Sequence, residues 1–333
     1  MDLITKIKEK VRALQLSLVL PEAGDIRVLQ AAEIIIKERL VTKLFLLGAP
    51  DIIAGKAKEA GIDLAGCELH DYLKSPDLST FAEDYYNLRK EKGITEKEAR
   101  EIVADPLYYG MFMVREGRAG TAVCGSLATT ADVLRACIHI IGQDSTSRSI
   151  SSSFLMIIPN CRYGEEGALF FADAGAVPDP SAEQLADIAI NTGKTAKVVL
   201  ATEPKIAMLS FSTKGSAKHR LISKVVKATE LARQKAPDLL IDGELQGDSA
   251  LVPEIASRKL SQSPVAGQAN VLIFPDLNSG NICYKLVERL ANARAYGPLI
   301  QGTNIPISDL SRGCTAKDIV NISAVTLLRA GVR

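Results

Sequence analysis

Four side chains able to do chemistry crowd into the run DLSRGCTAKD, residues 309–318: the Ser311 hydroxyl, the Arg312 guanidinium, the Cys314 thiol and the Asp318 carboxylate. A planar guanidinium binds an oxyanion or phosphate through two parallel hydrogen bonds. If the run opens a helix, that helix adds unpaired N–H groups and a positive dipole end. Such a site suits a phosphate, or an oxyanion forming on a carbonyl. Asp318 has no part in binding an anion and is better suited to accepting a proton. Cys314 offers a second route. A thiol beside a helix N-terminus and an arginine is expected to ionise more easily, and it would then form an acyl-enzyme. No histidine is close to it in sequence to serve as its base.

The structural reading of the same run is also strong. Thr315 to Asp318 has the form of a capping box, with Thr315 as N-cap and Asp318 three residues on. Ile319, Ile322, Val325 and Leu328 follow at helical spacing, and Gly331 ends the run. Upstream, LSLVLPEAG, DIRVLQAAEIIIKERL, TKLFLLG and APDIIAGKAKEAG alternate short apolar strands with helical periods. That alternation predicts parallel strands covered on both faces. Three helical stretches fill 78–118, and TAVCGS with TTADVLRACIHIIG resumes the alternation. A polar run near 144–149 marks a boundary. Beyond it SISSSFLMIIPN and GALFFADA read as strands whose Gly/Pro/Asn-rich connection suits a hairpin, followed by KIAMLSF, DLLIDGE and ANVLIFPD.

Composition narrows the function. A net charge of +1 over 333 residues gives no global field to recruit nucleic acid or an anionic membrane surface. Six scattered cysteines and three histidines show no metal-ligand spacing, so no metal is expected. The charged, amphipathic N-terminus is unlike a signal peptide, and no apolar run reaches the ~18 residues of a membrane span. Free thiols then point to the cytoplasm.

Three other motifs compete for attention. NTGKTAK contains Gly-Lys-Thr, but Ile188 stands where a phosphate-binding loop needs glycine. SFSTKGSAKHR, residues 210–220, is readable equally as an anion cradle or as capping and turn residues. DGELQGDSA, residues 242–250, offers acids for a hard cation or, more simply, acids near a helix start.

The stretches DLSRGCTAKDIV, LSFSTKGSAKH, PDLLIDGELQGDSALVPEIA, PVAGQANVLIFPDLNSGNICYKLVERLA and GPLIQGTNIPISDLSRGC together resemble the phosphate acetyltransferase (phosphotransacetylase) family, in family order. TTADVLR and NLRKEKG extend the likeness into the first half. The resemblance implies an α/β fold of two α/β domains around a cleft, with mostly parallel sheets and an isocitrate/isopropylmalate dehydrogenase-like architecture. It implies a first domain of 1–145 plus 298–333, with the C-terminal segment returning to it, and a second of 146–297. It implies reversible acetyl transfer between acetyl phosphate and coenzyme A, by direct thiolate attack in a ternary complex, in a homodimer. No cofactor is needed beyond CoA as a substrate. The alternative is a phosphate butyryltransferase or another acyl-phosphate:CoA acyltransferase of longer chain length.

Carried onto this chain, Ser311 and Arg312 match the family's pair at the reacting carbonyl and phosphate, and Asp318 its base for the CoA thiol. Arg89 and Arg135 match arginines that bind phosphate or CoA. Thr130 and Lys285 match further polar positions. The chain departs from the family pattern at 117–130, where Ala128 and Thr129 replace His and Ser, and at Ser308, where Asn is common. Two rivals of other classes remain: a metal- and NAD(P)-dependent dehydrogenase of the same architecture, which needs clustered aspartates that only the DGELQGD region offers, and an inactive CoA- or acetyl-phosphate-binding regulator, against which the intact Ser311, Arg312 and Asp318 argue.

Overall fold

The computed structural model describes residues 2–260 and 262–332. The chain divides into two compact units, Met1–Gly142 with Thr303–Arg333, and Gln143–Gly302. The expected boundaries after 145 and after 297 lie a few residues from these.

In chain order, the first unit begins with α1 (Leu3–Leu14), β1 (Ser17–Leu20), α2 (Ile26–Lys37), β2 (Lys43–Leu47), α3 (Pro50–Glu59) and β3 (Cys67–His70). The helices α4 (Asp77–Arg89), α5 (Glu96–Val103) and α6 (Pro106–Arg115) follow, then β4 (Thr121–Cys124) and α7 (Thr130–Ala136). A five-residue π turn, Cys137–Ile141, continues α7. The second unit holds β5 (Ser151–Ile157), β6 (Ala168–Ala172), α8 (Ala182–Leu200), β7 (Lys205–Leu209), α9 (Arg220–Lys235) and β8 (Leu240–Leu245). It continues with α10 (Gly247–Leu251), α11 (Pro253–Lys259), β9 (Val271–Ile273), α12 (Leu277–Leu290) and β10 (Arg294–Gln301). The chain then returns to the first unit with β11 (Ile307–Asp309) and α13 (Ala316–Ala330).

The strands of the first unit run in the order β3-β2-β1-β4-β11, all parallel. Val19 lies beside Phe45 on one side and Ala122 on the other, and Cys124 pairs with Asp309. All four residues of β4 are buried. This is why the central strands β1, β2 and β4 read as apolar runs: helices cover both faces, so past their first residues no position alternates toward water. In the second unit the order is β10-β5-β6-β9-β7-β8. There β5 pairs antiparallel with both β6 and β10, forming the expected hairpin, while β6, β9, β7 and β8 are parallel. Its core joins Phe154, Met156, Leu169, Phe171, Leu245 and Phe274.

Capping residues set the helix starts. Asp25 accepts from the Arg27 N–H and opens α2, Asp105 opens α6, Thr129 opens α7, and Thr95 and Thr315 form full capping boxes with Glu98 and Asp318. Helix α13 packs on α1, α2 and β4. The expected stripe Ile319, Ile322, Val325 and Leu328 is buried, but so are Val320, Asn321, Ser323, Ala324, Thr326 and Leu327. The helix is therefore enclosed on nearly all sides rather than along one face. Among its polar residues, Thr326 is accommodated by two short hydrogen bonds, with Ser308 Oγ at 2.6 Å and to the Ile322 carbonyl at 2.6 Å. Ser308 thus has a packing role inside the unit.

Candidate functional site

The C-terminal ends of β1, β4 and β11 deliver three loops to one place in the first unit. The loop after β11 carries Ser311, Arg312 and Cys314, then enters α13. The Cys314 N–H donates to the Ser311 carbonyl at 2.8 Å, which closes a turn. The Ser311 hydroxyl accepts from the Gly313 N–H at 3.3 Å. Ser311 and Arg312 are exposed, and the Arg312 guanidinium has no ion-pair partner among the described residues.

Asp318 is part of the capping box. Its Oδ2 accepts from the Thr315 N–H at 2.9 Å and from the Thr315 hydroxyl at 2.7 Å, and its own N–H donates to Thr315 Oγ1. Its Oδ1 takes none of these bonds. The side chain is half-buried at the first turn of α13, six residues beyond Arg312.

The expectation of a reactive Cys314 is corrected. The thiol is buried, and burial pushes it up to about 11; Arg27 nearby pulls the other way without overcoming the desolvation. A helix N-terminus favours a thiolate only where the sulfur stays partly in water.

Arg27 is the residue that sequence reasoning missed. One Nη donates to the carbonyls of Arg312 and Cys314, at 2.7 and 2.9 Å, and the other to the carbonyl of Ser126 at 3.0 Å. The guanidinium also grips Asp25, at 2.6 Å for the shortest contact. Burial opposes the charge on Asp25, but hydrogen bonds from Arg27 and Ser126 outweigh it and hold its carboxyl below the usual range. Arg27 thus fixes the backbone on both sides of Gly313 and leaves the Arg312 side chain free. Its only local signal is its place two residues after the N-cap Asp25; its carbonyl partners are 99 to 287 residues away.

The loop after β4 leads to α7. Thr129 caps this helix, accepting from the Asp132 N–H and donating to the Asp132 carboxylate at 2.6 Å. Thr130 is the first helical residue. Arg135, exposed one turn on, pairs with Asp132 at 2.8 Å. The departures from the family pattern have local roles here: Thr129 supplies the capping hydroxyl, and Ala128 contributes its backbone N–H to Glu22 at 2.7 Å. Asp309, fully buried at the end of β11, lies next to this loop, and burial raises its carboxyl to about 7 despite the adjacent Thr130 hydroxyl and Leu310 N–H.

Arg89 ends α4 and borders a cleft of about 630 Å³ with Tyr85, Lys92, Asp105, Tyr108 and His139. The Tyr85 hydroxyl meets His139 Nδ1 at 2.9 Å. Burial lowers the His139 pKa, and the charges of Arg89 and Arg135 lower it further. Both arginines therefore act on one region. Lys285 lies in the second unit on α12, its ammonium 5.1 Å from the Tyr284 ring centroid.

The competing motifs resolve differently. The residues NTGKTAK lie inside α8, with Gly193 buried in the helix, so they form no phosphate loop. The 210–220 segment is an anion cradle, but the protein's own acids fill it. Glu244 accepts from Ser212 Oγ at 2.9 Å and the Gly215 N–H at 2.7 Å, and Asp242 is gripped by Lys214, Arg233 and Ser263. Asp242 and Glu244 of DGELQGDSA are consumed by these contacts, while Asp248 is exposed and accepts from the Ser249 N–H at 2.7 Å. Among the described residues no cluster of His, Cys, Asp and Glu could hold a metal ion. No described helix is long and apolar enough to cross a membrane.

Comparison with known proteins matches residues 2–327 to the model of the family "Phosphate acetyl/butaryl transferase". The chain is 49% identical to the phosphate acetyltransferase of Thermoanaerobacterium thermosaccharolyticum, over 99% of this chain and 100% of that one. It is 47% identical to that of Acetivibrio thermocellus, over 99% and 98%. Among solved structures, a phosphotransacetylase from Streptococcus pyogenes superposes with a TM-score of 0.92 at 39% identity, covering 98% of both chains. A putative 4-hydroxythreonine-4-phosphate dehydrogenase from Salmonella typhimurium, at 12% identity and a TM-score of 0.55, shares the fold alone and agrees with the dehydrogenase-like architecture. With a family model spanning nearly its full length and relatives at this identity, the chain belongs to the phosphate acetyl/butaryl transferase family.

Proposed function

We propose that this chain is a phosphate acetyltransferase, moving acetyl reversibly between acetyl phosphate and CoA. The observation that carries the reading is the turn before α13: Arg27 holds its backbone while the Arg312 guanidinium stays exposed, with no ion-pair partner among the described residues. A cation fixed at its root and free at its tip is prepared for a phosphate. The named relatives favour acetyl over the longer acyl donors.

The reaction is a direct transfer. The CoA thiol gives its proton to Asp318 Oδ1, the oxygen outside the capping box. The thiolate sulfur bonds to the acetyl carbonyl carbon, the charge passes to the carbonyl oxygen, and the carbon–oxygen bond to phosphate then breaks. Ser311 and Arg312 stabilise the oxyanion and the departing phosphate. An unperturbed thiol near pKa ~8.5 is only a few per cent ionised at neutral pH, so proton removal must accompany attack. Arg89 and Arg135 bind substrate phosphates, and Thr130 and Lys285 contribute polar contacts. CoA enters as substrate, no further cofactor or metal takes part, and no nucleic acid or membrane partner is involved. The protein works in the cytoplasm as a homodimer. In support of the dimer, Ile282, Leu286 and Leu290 expose an apolar stripe on one face of α12.

The test compares thioester formation by wild type and Asp318→Asn. Asparagine keeps the shape and the cap acceptor but cannot take the proton, so turnover falls ~10²–10⁴-fold. Raising the pH restores part of it, as thiolate forms unaided. A residue serving only as a cap would leave turnover nearly intact, because a lost cap costs only ~0.5–2 kcal/mol of stability. Exchange of phosphate into acetyl phosphate without CoA would instead reveal an acetyl-enzyme.

A further inference from the structure

Glu22, in the loop between β1 and α2, is buried at 7% exposure. Its carboxylate accepts five hydrogen bonds from one loop. Oε2 takes the N–H groups of Gly125 and Ser126 at 2.6 and 2.8 Å and the Ser126 hydroxyl at 3.1 Å; Oε1 takes the N–H groups of Leu127 and Ala128 at 2.9 and 2.7 Å. Four consecutive N–H groups converging on one point form an anion nest. Here the anion is the protein's own side chain, so this nest is closed to substrate phosphate.

The loop is confined from the other side as well. Gly125 sits at φ +100°, and a Cβ there would lie 1.9 Å from Asp309 Oδ1 and 2.8 Å from the Leu310 nitrogen. Gly125–Ala128 is thus pressed between Glu22 and the end of β11. Two things depend on where it sits. It runs directly into Thr129, the cap of α7, and so sets Thr130 and Arg135. Its Ser126 carbonyl also receives Arg27, whose other nitrogen holds the carbonyls of Arg312 and Cys314.

We propose that Glu22 is a positioning residue: it fixes the 125–128 loop as the common base on which the N-terminus of α7 and the Arg312–Cys314 turn are both set. Its catalytic consequence rests on the acetyltransferase reading; its structural consequence does not. Glu22→Gln puts an NH₂ against two of the N–H donors, and Glu22→Asp keeps the charge but withdraws it by one methylene. The second variant serves if the first does not fold.

The experiment measures amide exchange and turnover on the full chain. In either variant, amides of 125–128 and of 313–316 exchange at least ~10-fold faster through local opening, while α8 in the other unit is unchanged. Turnover falls by about 10²-fold, the scale of a ~1 Å misplacement of catalytic groups. Combined with Arg312→Ala, the Glu22 change costs less than ~3-fold further, because residues acting as a unit are not additive. Faster exchange at 125–128 with 313–316 unchanged would overturn the proposal, and so would fully additive losses. Should the wild type make no thioester at all, the acetyltransferase reading fails, and the exchange pattern alone decides the role of Glu22.

Discussion

Arg312 and Arg27 are two arginines with opposite duties. Arg27 spends its donors on three backbone carbonyls and Asp25; the Arg312 guanidinium spends none among the described residues. The difference predicts different failures. Arg312→Ala should lower turnover ~10²–10³-fold, the scale of removing one oxyanion stabiliser. Arg312→Lys should not restore it fully, because an ammonium lacks the bidentate fork. Steady-state turnover of the two variants checks this, and a lysine variant with wild-type rate would show that charge alone suffices. Cys314→Ala serves as a control and should stay active, since a thiol raised to about 11 is protonated at neutral pH. The type and spacing of Ser311, Arg312 and Asp318 were legible in sequence, as was the Thr315 capping box. Arg27 and Glu22 were not. Apart from Asp25 and the Ser126 hydroxyl, their partners are backbone groups about a hundred or more residues away, and backbone groups leave no mark on residue type.

At the scale of elements, the strand–helix alternation and the β5–β6 hairpin were readable because buried parallel strands and amphipathic helices have distinct periods. The short β3, with no fully buried residue, and the three-residue β11 escaped. The stripe on α13 was right in its residues and too narrow in its extent, because a helix enclosed by α1, α2 and β4 buries small and hydroxylated residues too. The residue types at 210–220 suit an anion cradle and a helix cap equally, and the filling of the cradle by Glu244 and Asp242 is visible only in the fold. One prediction belongs to the packing of α4 against α6 and the π turn that follows α7. His139 is held neutral by burial and by Arg89 and Arg135. Its folded pKa lies below the ordinary 6.5, so its contribution to stability is complete above 6.5 and is lost as pH falls through the folded value. Binding of inorganic phosphate or CoA at the two arginines should offset their charge and raise the His139 pKa. Titration of its imidazole resonance with and without ligand reads this, and an unmoved resonance at saturation would take the arginines out of phosphate binding.

For the whole molecule, a net charge of +1 leaves recognition to local sites rather than to a global field. The exposed stripe of α12 predicts self-association: Leu286→Glu should shift the protein toward monomer in sedimentation, and a wild type that is monomeric at micromolar concentration would remove the basis for the dimer. The separation of roles described here also predicts an activity that needs nothing beyond the chain and its two substrates. The most direct measurement is thioester formation by purified chain from CoA and acetyl, propionyl or butyryl phosphate, with a chelator present throughout. The account predicts acetyl-CoA formed without divalent metal, and faster than either longer product. Folded protein that makes no thioester from any of the three, or that prefers butyryl phosphate, would contradict it.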